Sequence, residues 1–286
     1  MTAPYALALL DLDGVGRVTA HRLLERFPTL DTLRATPREQ VLLRLKGAPH
    51  AEATVDTLFD PEAMRAPLDR ARQQVDALTK TGVHVVAAGM GGWPGGLDRL
   101  PRASRPVVVY GYGHLGALAR PAVAVLARAP IEAAPFEAAQ ALARSLAARG
   151  VPLVTGMAHG VDLALQKVGT GAGAPPVAVL GSGLARMDRS LRPAATALVR
   201  AGGLLLSPFP MPHGPFDHDD RERALVQAAL GGAVCAVAPP ADSSEDRAAA
   251  WAAEAGVPLA LVPPAPPGAA WAADALAPEA VAAAVA

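Results

Sequence analysis

One cysteine, Cys235, serves the whole chain of 286 residues. A disulfide within the chain is therefore impossible, and a Cys-rich zinc module is excluded. Aromatic residues make up only 4%, too few for a surface built from stacking rings. There is no excess of charge, since 26 basic and 26 acidic side chains cancel, and a globally basic nucleic-acid coat is excluded. No apolar run approaches the roughly 20 residues of a membrane helix. No basic stretch precedes the short apolar run Ala6–Leu10, so a secretory signal is not expected. What is abundant is apolar: 51% of residues are hydrophobic and 18% charged, enough for a sizeable core and against wholesale disorder. These features point to a cytoplasmic protein without a membrane partner.

The charges are not evenly spread. Residues 1–80 carry 11 basic and 11 acidic side chains, residues 81–200 carry 12 and 5, and residues 201–286 carry 3 and 10. A basic middle is a candidate phosphate-facing surface; the alternative is that the two regions pair with each other inside one domain.

Residues 1–76 read as a small all-helical domain. Asp60 before Pro61, and Thr36 before Pro37, are sound helix starts, because a capping side chain followed by Pro suits a first turn. The stretch Leu10 to Leu24, broken by Gly14-Val15-Gly16, has the form of a helix-hairpin-helix. Asp11 and Asp13 flank that turn and would repel a phosphate, so packing is favoured over DNA contact.

Residues 77–265 alternate. The runs Val83–Val86, Pro106–Tyr110, Val123–Leu126, Val151–Thr155, Val177–Leu180, Gly203–Ser207, Val234–Val237 and Leu259–Val262 read as strands. Alanine-rich helical stretches separate several of them. The fold class is therefore α/β, a doubly wound and mostly parallel sheet, with ligands expected beyond the carboxyl ends of its strands. Residues 266–286 are rich in Pro and Ala and read as a tail.

Two glycine-rich loops follow strands. Thr155-Gly156-Met157-Ala158-His159-Gly160-Val161-Asp162 opens a helix, and Gly181-Ser182-Gly183 ends the next strand. Together they would line one crevice with backbone amides suited to an anion. Neither is a dinucleotide fingerprint nor a Lys-bearing phosphate loop, and no cofactor is expected. His213, Asp217, His218, Asp219 and Asp220 are ligand types without a fixed geometry and read as a solvated acidic loop, not a metal site. Arg186, Arg189, Arg192 and Arg200 form either a basic track or a plain solvated face. Cys235, within a buried-strand pattern, is a core residue rather than a nucleophile.

The order of these motifs resembles the DNA-processing protein A (DprA, or Smf) family. Trp93-Pro94 and Pro106-Val107-Val108-Val109-Tyr110-Gly111 look like the entry to its Rossmann-like domain. Thr155 to Asp162 is similar to its Ser-Gly-x-Ala-x-Gly-Ile-Asp. Val177 to Leu184 and Gly203 to Ser207 resemble its next two strands, and Phe216 with Arg221-Glu222-Arg223 resembles its Phe-x-x-Arg-Asn-Arg. The first domain fits the family's helical module of SAM or helix-hairpin-helix type, and residues 266–286 are not expected to form the family's C-terminal winged helix.

The resemblance implies no enzymatic activity. It implies single-stranded DNA held in a positive pocket, self-association as a homodimer, and loading of the RecA recombinase in natural transformation or recombination. By matching, Gly156, Gly160, Asp162, Gly181, Ser182, Gly183, Arg221 and Arg223 line or shape that pocket. Arg128 stands in for the family's Gly-Ser/Thr-Arg arginine, and His159 occupies the position of another. Arginines and loop amides would hold phosphates, while Asp162 braces its loop. Several positions depart from the pattern: Ala127 and Ala129 flank Arg128, Pro208 replaces an acid, Glu222 replaces Asn, and Asp217, Asp219 and Asp220 crowd the arginine pair. Each added carboxylate opposes phosphate binding. The competing possibilities are a Rossmann-like protein that binds, or hydrolyses, a nucleotide or phosphosugar, and a scaffold with a decayed DNA pocket.

Overall fold

The computed structural model describes residues 1–285, and the chain divides into two compact units. The first comprises Met1–Trp93 with Pro101–Val109; the second comprises Pro94–Leu100 and the chain from Tyr110 onward.

The first unit is built from six helices and a strand. They are α1 (Ala3–Leu10), α2 (Arg17–Arg26), α3 (Leu30–Arg34), α4 (Arg38–Arg44), α5 (Ala51–Phe59), α6 (Pro61–Lys80) and β1 (Val83–Ala87). Local chemistry sets most of the boundaries. Asp60 accepts from the Glu62 amide at 2.8 Å with Pro61 in the first turn, as the sequence predicts. Thr29 and Thr32 form a reciprocal capping box at α3. Thr36 differs from expectation. Its hydroxyl donates back to the Thr32 carbonyl at 2.9 Å, and Pro37 takes the cap position of α4. Leu9, Leu23, Leu33, Leu45, Leu58 and Met64 are fully buried. Between α1 and α2, Gly14 adopts φ +78°, where a Cβ would meet the Pro49 carbonyl. Asp11 beside this turn is ion-paired with Arg70 of α6.

The second unit carries β2 (Val108–Gly113, from Tyr110), β3 (Val123–Leu126), α7 (Ala133–Ala148), β4 (Leu153–Gly156), α8 (Val161–Gly171), β5 (Val177–Val179), α9 (Arg192–Arg200), β6 (Leu204–Ser207), α10 (Asp219–Leu230), β7 (Ala233–Val237), α11 (Ser244–Glu254) and β8 (Leu259–Val262). Within this unit the strand order is β2-β6-β5-β4-β3-β7-β8. From β6 to β8 every pairing is parallel, with Val123 opposite both Leu153 and Ala233; β2 runs antiparallel to β6. The chain steps from β3 to β6 in one direction, then returns to place β7 on the far side of β3. That reversal makes the sheet doubly wound and puts a crevice at its carboxyl edge.

Alternation along the strands sends residues to opposite faces. Val123, Val125 and Leu153 join α7 and α8 in one core cluster with Cys235. Helices α10 and α11 pack on each other and against β3.

The C-terminal segment departs from the expected tail. Leu276 bridges to Ala260, and Val281, Ala282 and Val285 enter the core cluster beside Cys235. Burial of these small apolar side chains orders the segment despite its Pro/Ala-rich composition. Among the described residues no helix is long and apolar enough to cross a membrane.

Candidate functional site

The carboxyl ends of β3, β4 and β5 open into a crevice of about 430 Å³. Its walls are residues 127–129 after β3, residues 157–159 with Val161 and Asp162 after β4, residues 180–182 after β5, and side chains from α10, α11 and the preceding loops.

The β4–α8 loop is shaped by two glycines. Gly160 adopts φ +89°, which disfavours any side chain. Gly156 has no such φ, but a Cβ there would meet the Asp162 carboxylate and lie 3.0 Å from Arg223 Nη1. Asp162 turns back beneath the loop and accepts the Ala158 amide at 3.2 Å. Burial pushes its carboxyl up to about 6, against the lowering effect of Arg223 and the Ala158 amide; Glu245 adds to the rise.

Arg223 is buried under the crevice. It donates to Glu245 at 2.5 Å and Gln227 at 2.6 Å, and Asp220 lies 3.5 Å from its Nε. Gln227 in turn donates to the carbonyls of Val125 and Val154, at 2.7 and 3.3 Å. Arg223 thus ties α10 to the start of α11 and, through Gln227, to β3 and β4. Arg128 reaches Asp220 at 3.2 Å and Glu245 at 3.3 Å. Arg128 of the basic middle region thus pairs with two acidic residues of the C-terminal third.

At the rim, His159 Nε2 lies 2.7 Å from the Ser190 hydroxyl. The Ser190 amide and hydroxyl hold the Asp188 carboxyl below the usual range. Arg186 is exposed and donates to the Gly214 carbonyl at 3.1 Å. Phe216, 55% exposed, stands within a ring series in which Phe209 stacks on His213, His213 meets Phe216 edge-on and Phe216 stacks on His218.

Of the residues singled out from sequence, Arg128, His159, Asp162, Gly181, Ser182 and Arg223 line this one crevice. Gly156, Gly160 and Gly183 shape its loops without lining it, and Arg221 is exposed outside it. The structure adds Glu245, 1% exposed. It is one of two acids, with Asp246, in the first turn of α11, and nothing in its local sequence marks it out from its neighbour. The loop of His213, Asp217, His218 and Asp219 is not wholly solvated. Asp219 is 2% exposed and accepts from His213 at 2.9 Å and from the Phe216 amide at 2.9 Å. Among the described residues no three His, Cys, Asp or Glu side chains converge as a metal site.

The charge balance corrects the expectation of a positive pocket. Asp162, Asp188, Asp217, Asp220 and Glu245 line the crevice, against Arg128, Arg186 and Arg223. Two of those arginines are ion-paired with Glu245 and Asp220, so Arg186 is the guanidinium left to face a ligand.

Residues 84–282 match the family model described as DNA recombination-mediator protein A. A Mycobacterium tuberculosis protein assigned as DNA processing protein DprA is 27% identical over 210 residues, which cover 70% of this chain and 54% of that protein. The chain thus spans about half the length of the curated relative it matches. The X-ray structure of DprA from Streptococcus pneumoniae superposes with a TM-score of 0.60 at 17% identity, over 89% of each chain. DNA processing protein A from Helicobacter pylori, a structure described for its single-stranded DNA binding mode, gives 0.55 at 21% identity, over 64% of this chain and 81% of that one. Both structures share the fold.

Proposed function

Because the chain belongs to the DNA recombination-mediator protein A family, we propose that it binds single-stranded DNA and assists a recombinase, without making or breaking covalent bonds. The observation that carries this is the family match across residues 84–282, which embraces nearly the whole doubly wound sheet and both glycine-rich loops. The Helicobacter pylori relative, described for binding single-stranded DNA, supports the choice of ligand. RecA is the proposed recombinase and a homodimer the proposed assembly; both come from the family resemblance.

In and around the crevice, the proposed contacts are Arg186, His159 and the backbone around Gly160 and Gly181–Gly183, with the half-exposed Phe216, one face of which stacks on His218, offering its remaining surface to a base. Arg221 is an exposed cation that can reach a passing strand. Arg128, Asp162 and Arg223 have a different proposed role: they hold the crevice walls together, and Gly156 makes room for that buried arrangement. Binding of this kind is weakly selective for sequence and falls with salt.

One observation favours a scaffold with a decayed pocket instead: five carboxylates line the crevice and two of its three arginines are already ion-paired. A titration of a labelled single-stranded oligonucleotide at two salt concentrations separates the two. Affinity that drops steeply with salt supports the DNA-binding role; no binding even at low salt leaves the scaffold.

A further inference from the structure

We propose that the helical unit carries its own phosphate-binding surface, a cleft formed by α2 and the end of α4 that takes the sugar–phosphate backbone of single-stranded DNA. The inference rests on the single-strand-binding role proposed above.

The cleft, about 480 Å³, is lined by Arg22, Glu25, Arg26, Leu43, Arg44 and Arg102. Its one acid is already neutralised. Glu25 accepts from Arg102 at 3.0 and 2.6 Å, a two-pronged pair, and Arg105 lies 3.8 Å away. That hydrogen bonding holds the Glu25 carboxyl below the usual range. The remaining cations have no such partner: among the described residues, Arg22, Arg26 and Arg44 form no ion pair. Elsewhere in this unit the exposed arginines are matched, Arg38 by Asp56, Arg65 by Glu62, Arg70 by Asp11 and Arg72 by Asp69. The unmatched arginines of this unit's exposed surface are therefore concentrated at this cleft, with the exposed Lys80 outside it.

The local geometry keeps it there. Arg22 and Arg26 are one turn apart on α2, so their guanidiniums share a face and repel each other mildly. Arg22 is steadied by a 3.4 Å hydrogen bond to the Lys46 carbonyl. Arg44 ends α4, and its neighbour Leu43 is 68% exposed at the cleft wall. An anion bound here would relieve the repulsion, and Leu43 would meet the apolar face of a sugar or base. Cations spread over two helices suit successive phosphates of a strand better than one small anion. No aromatic ring lines the cleft, so it offers no stacking platform, and its share of the affinity is electrostatic and steeply dependent on salt.

The test uses the full chain and a fluorescein-labelled oligothymidylate, read by anisotropy across a salt series. The variant Arg22→Gln/Arg26→Gln/Arg44→Gln is compared with Arg38→Gln/Arg65→Gln/Arg72→Gln, which removes the same charge from matched positions. The first is expected to lose about ten-fold in affinity at low salt, and its slope of log K against log salt to shrink by roughly 2, for about three phosphate contacts. The second is expected to stay within about two-fold of the unmodified protein. The single change Arg44→Gln, at the exposed end of α4, is expected to cost about three-fold and decides the matter if the triple variant does not fold. An unchanged affinity and slope in the cleft variants, or an equal loss in the matched set, overturns the cleft while the DNA-binding role stands. Absence of binding by the unmodified protein overturns both.

Discussion

Arg223 and Glu245 meet at 2.5 Å, the carboxylate 1% exposed, directly beneath the crevice at the carboxyl ends of the sheet. The sequence resemblance leads one to expect Arg223 to line or shape a DNA pocket, yet its side chain is bound up within the protein.

Removing one member of that pair should therefore be a stability lesion. Arg223→Ala leaves Glu245 buried with only Arg128 as a cationic partner, and a cost of about 3 kcal/mol or more is expected in urea unfolding. The double variant Arg223→Met/Glu245→Leu should recover part of the loss, since Glu245 is no longer stranded, while Asp162 and Gln227 still lose the guanidinium beside them. A near-neutral Arg223→Ala would show that the pair does not brace α10 and α11.

Asp162 makes stability depend on pH in a defined direction. Its folded pKa of about 6 lies above the ordinary 3.8, so between these values the folded chain retains a proton that the unfolded chain has released. Stability from this group is intact below the unfolded value and is lost as pH rises through the folded one. Asp162→Asn removes the group. The gap in unfolding midpoint between variant and unmodified protein should widen in the variant's favour from about pH 4 to pH 7. A gap that does not change with pH would contradict burial as the dominant influence on this carboxyl.

Cys235 offers a chemical probe of global opening. Burial raises its thiol to about 12, so the native chain holds essentially no thiolate at neutral pH. A thiol reagent should fail to label it in native buffer and label it fully in denaturant. Rapid native labelling would mean that β7 opens locally.

Arg186 is the crevice arginine outside the ion pairs. Arg186→Gln is expected to weaken oligonucleotide binding by about three- to ten-fold. The melting temperature should move little, because the exposed side chain gives up one hydrogen bond to Gly214. Equal binding by this variant would take the crevice out of the DNA path.

Chain-local chemistry made much of the fold legible in advance. The apolar runs at Val123–Leu126, Val151–Thr155 and Val234–Val237 are bounded by turn residues and separated by alanine-rich helices, so their alternation specifies a parallel, doubly wound sheet. Asp60-Pro61 announces the start of α6 by capping chemistry that acts within three residues. The tertiary structure alone decided which charges meet. Arg128 and Asp220 are 92 positions apart, and Arg128 and Glu245 are 117 apart; a count of charges cannot say that they cancel inside a crevice. Val281, Ala282 and Val285 look like a tail by composition, yet they find an apolar surface to cover. Periodicity and capping depend on neighbours along the chain, whereas ion pairing and burial depend on which surfaces the fold brings within a few ångströms.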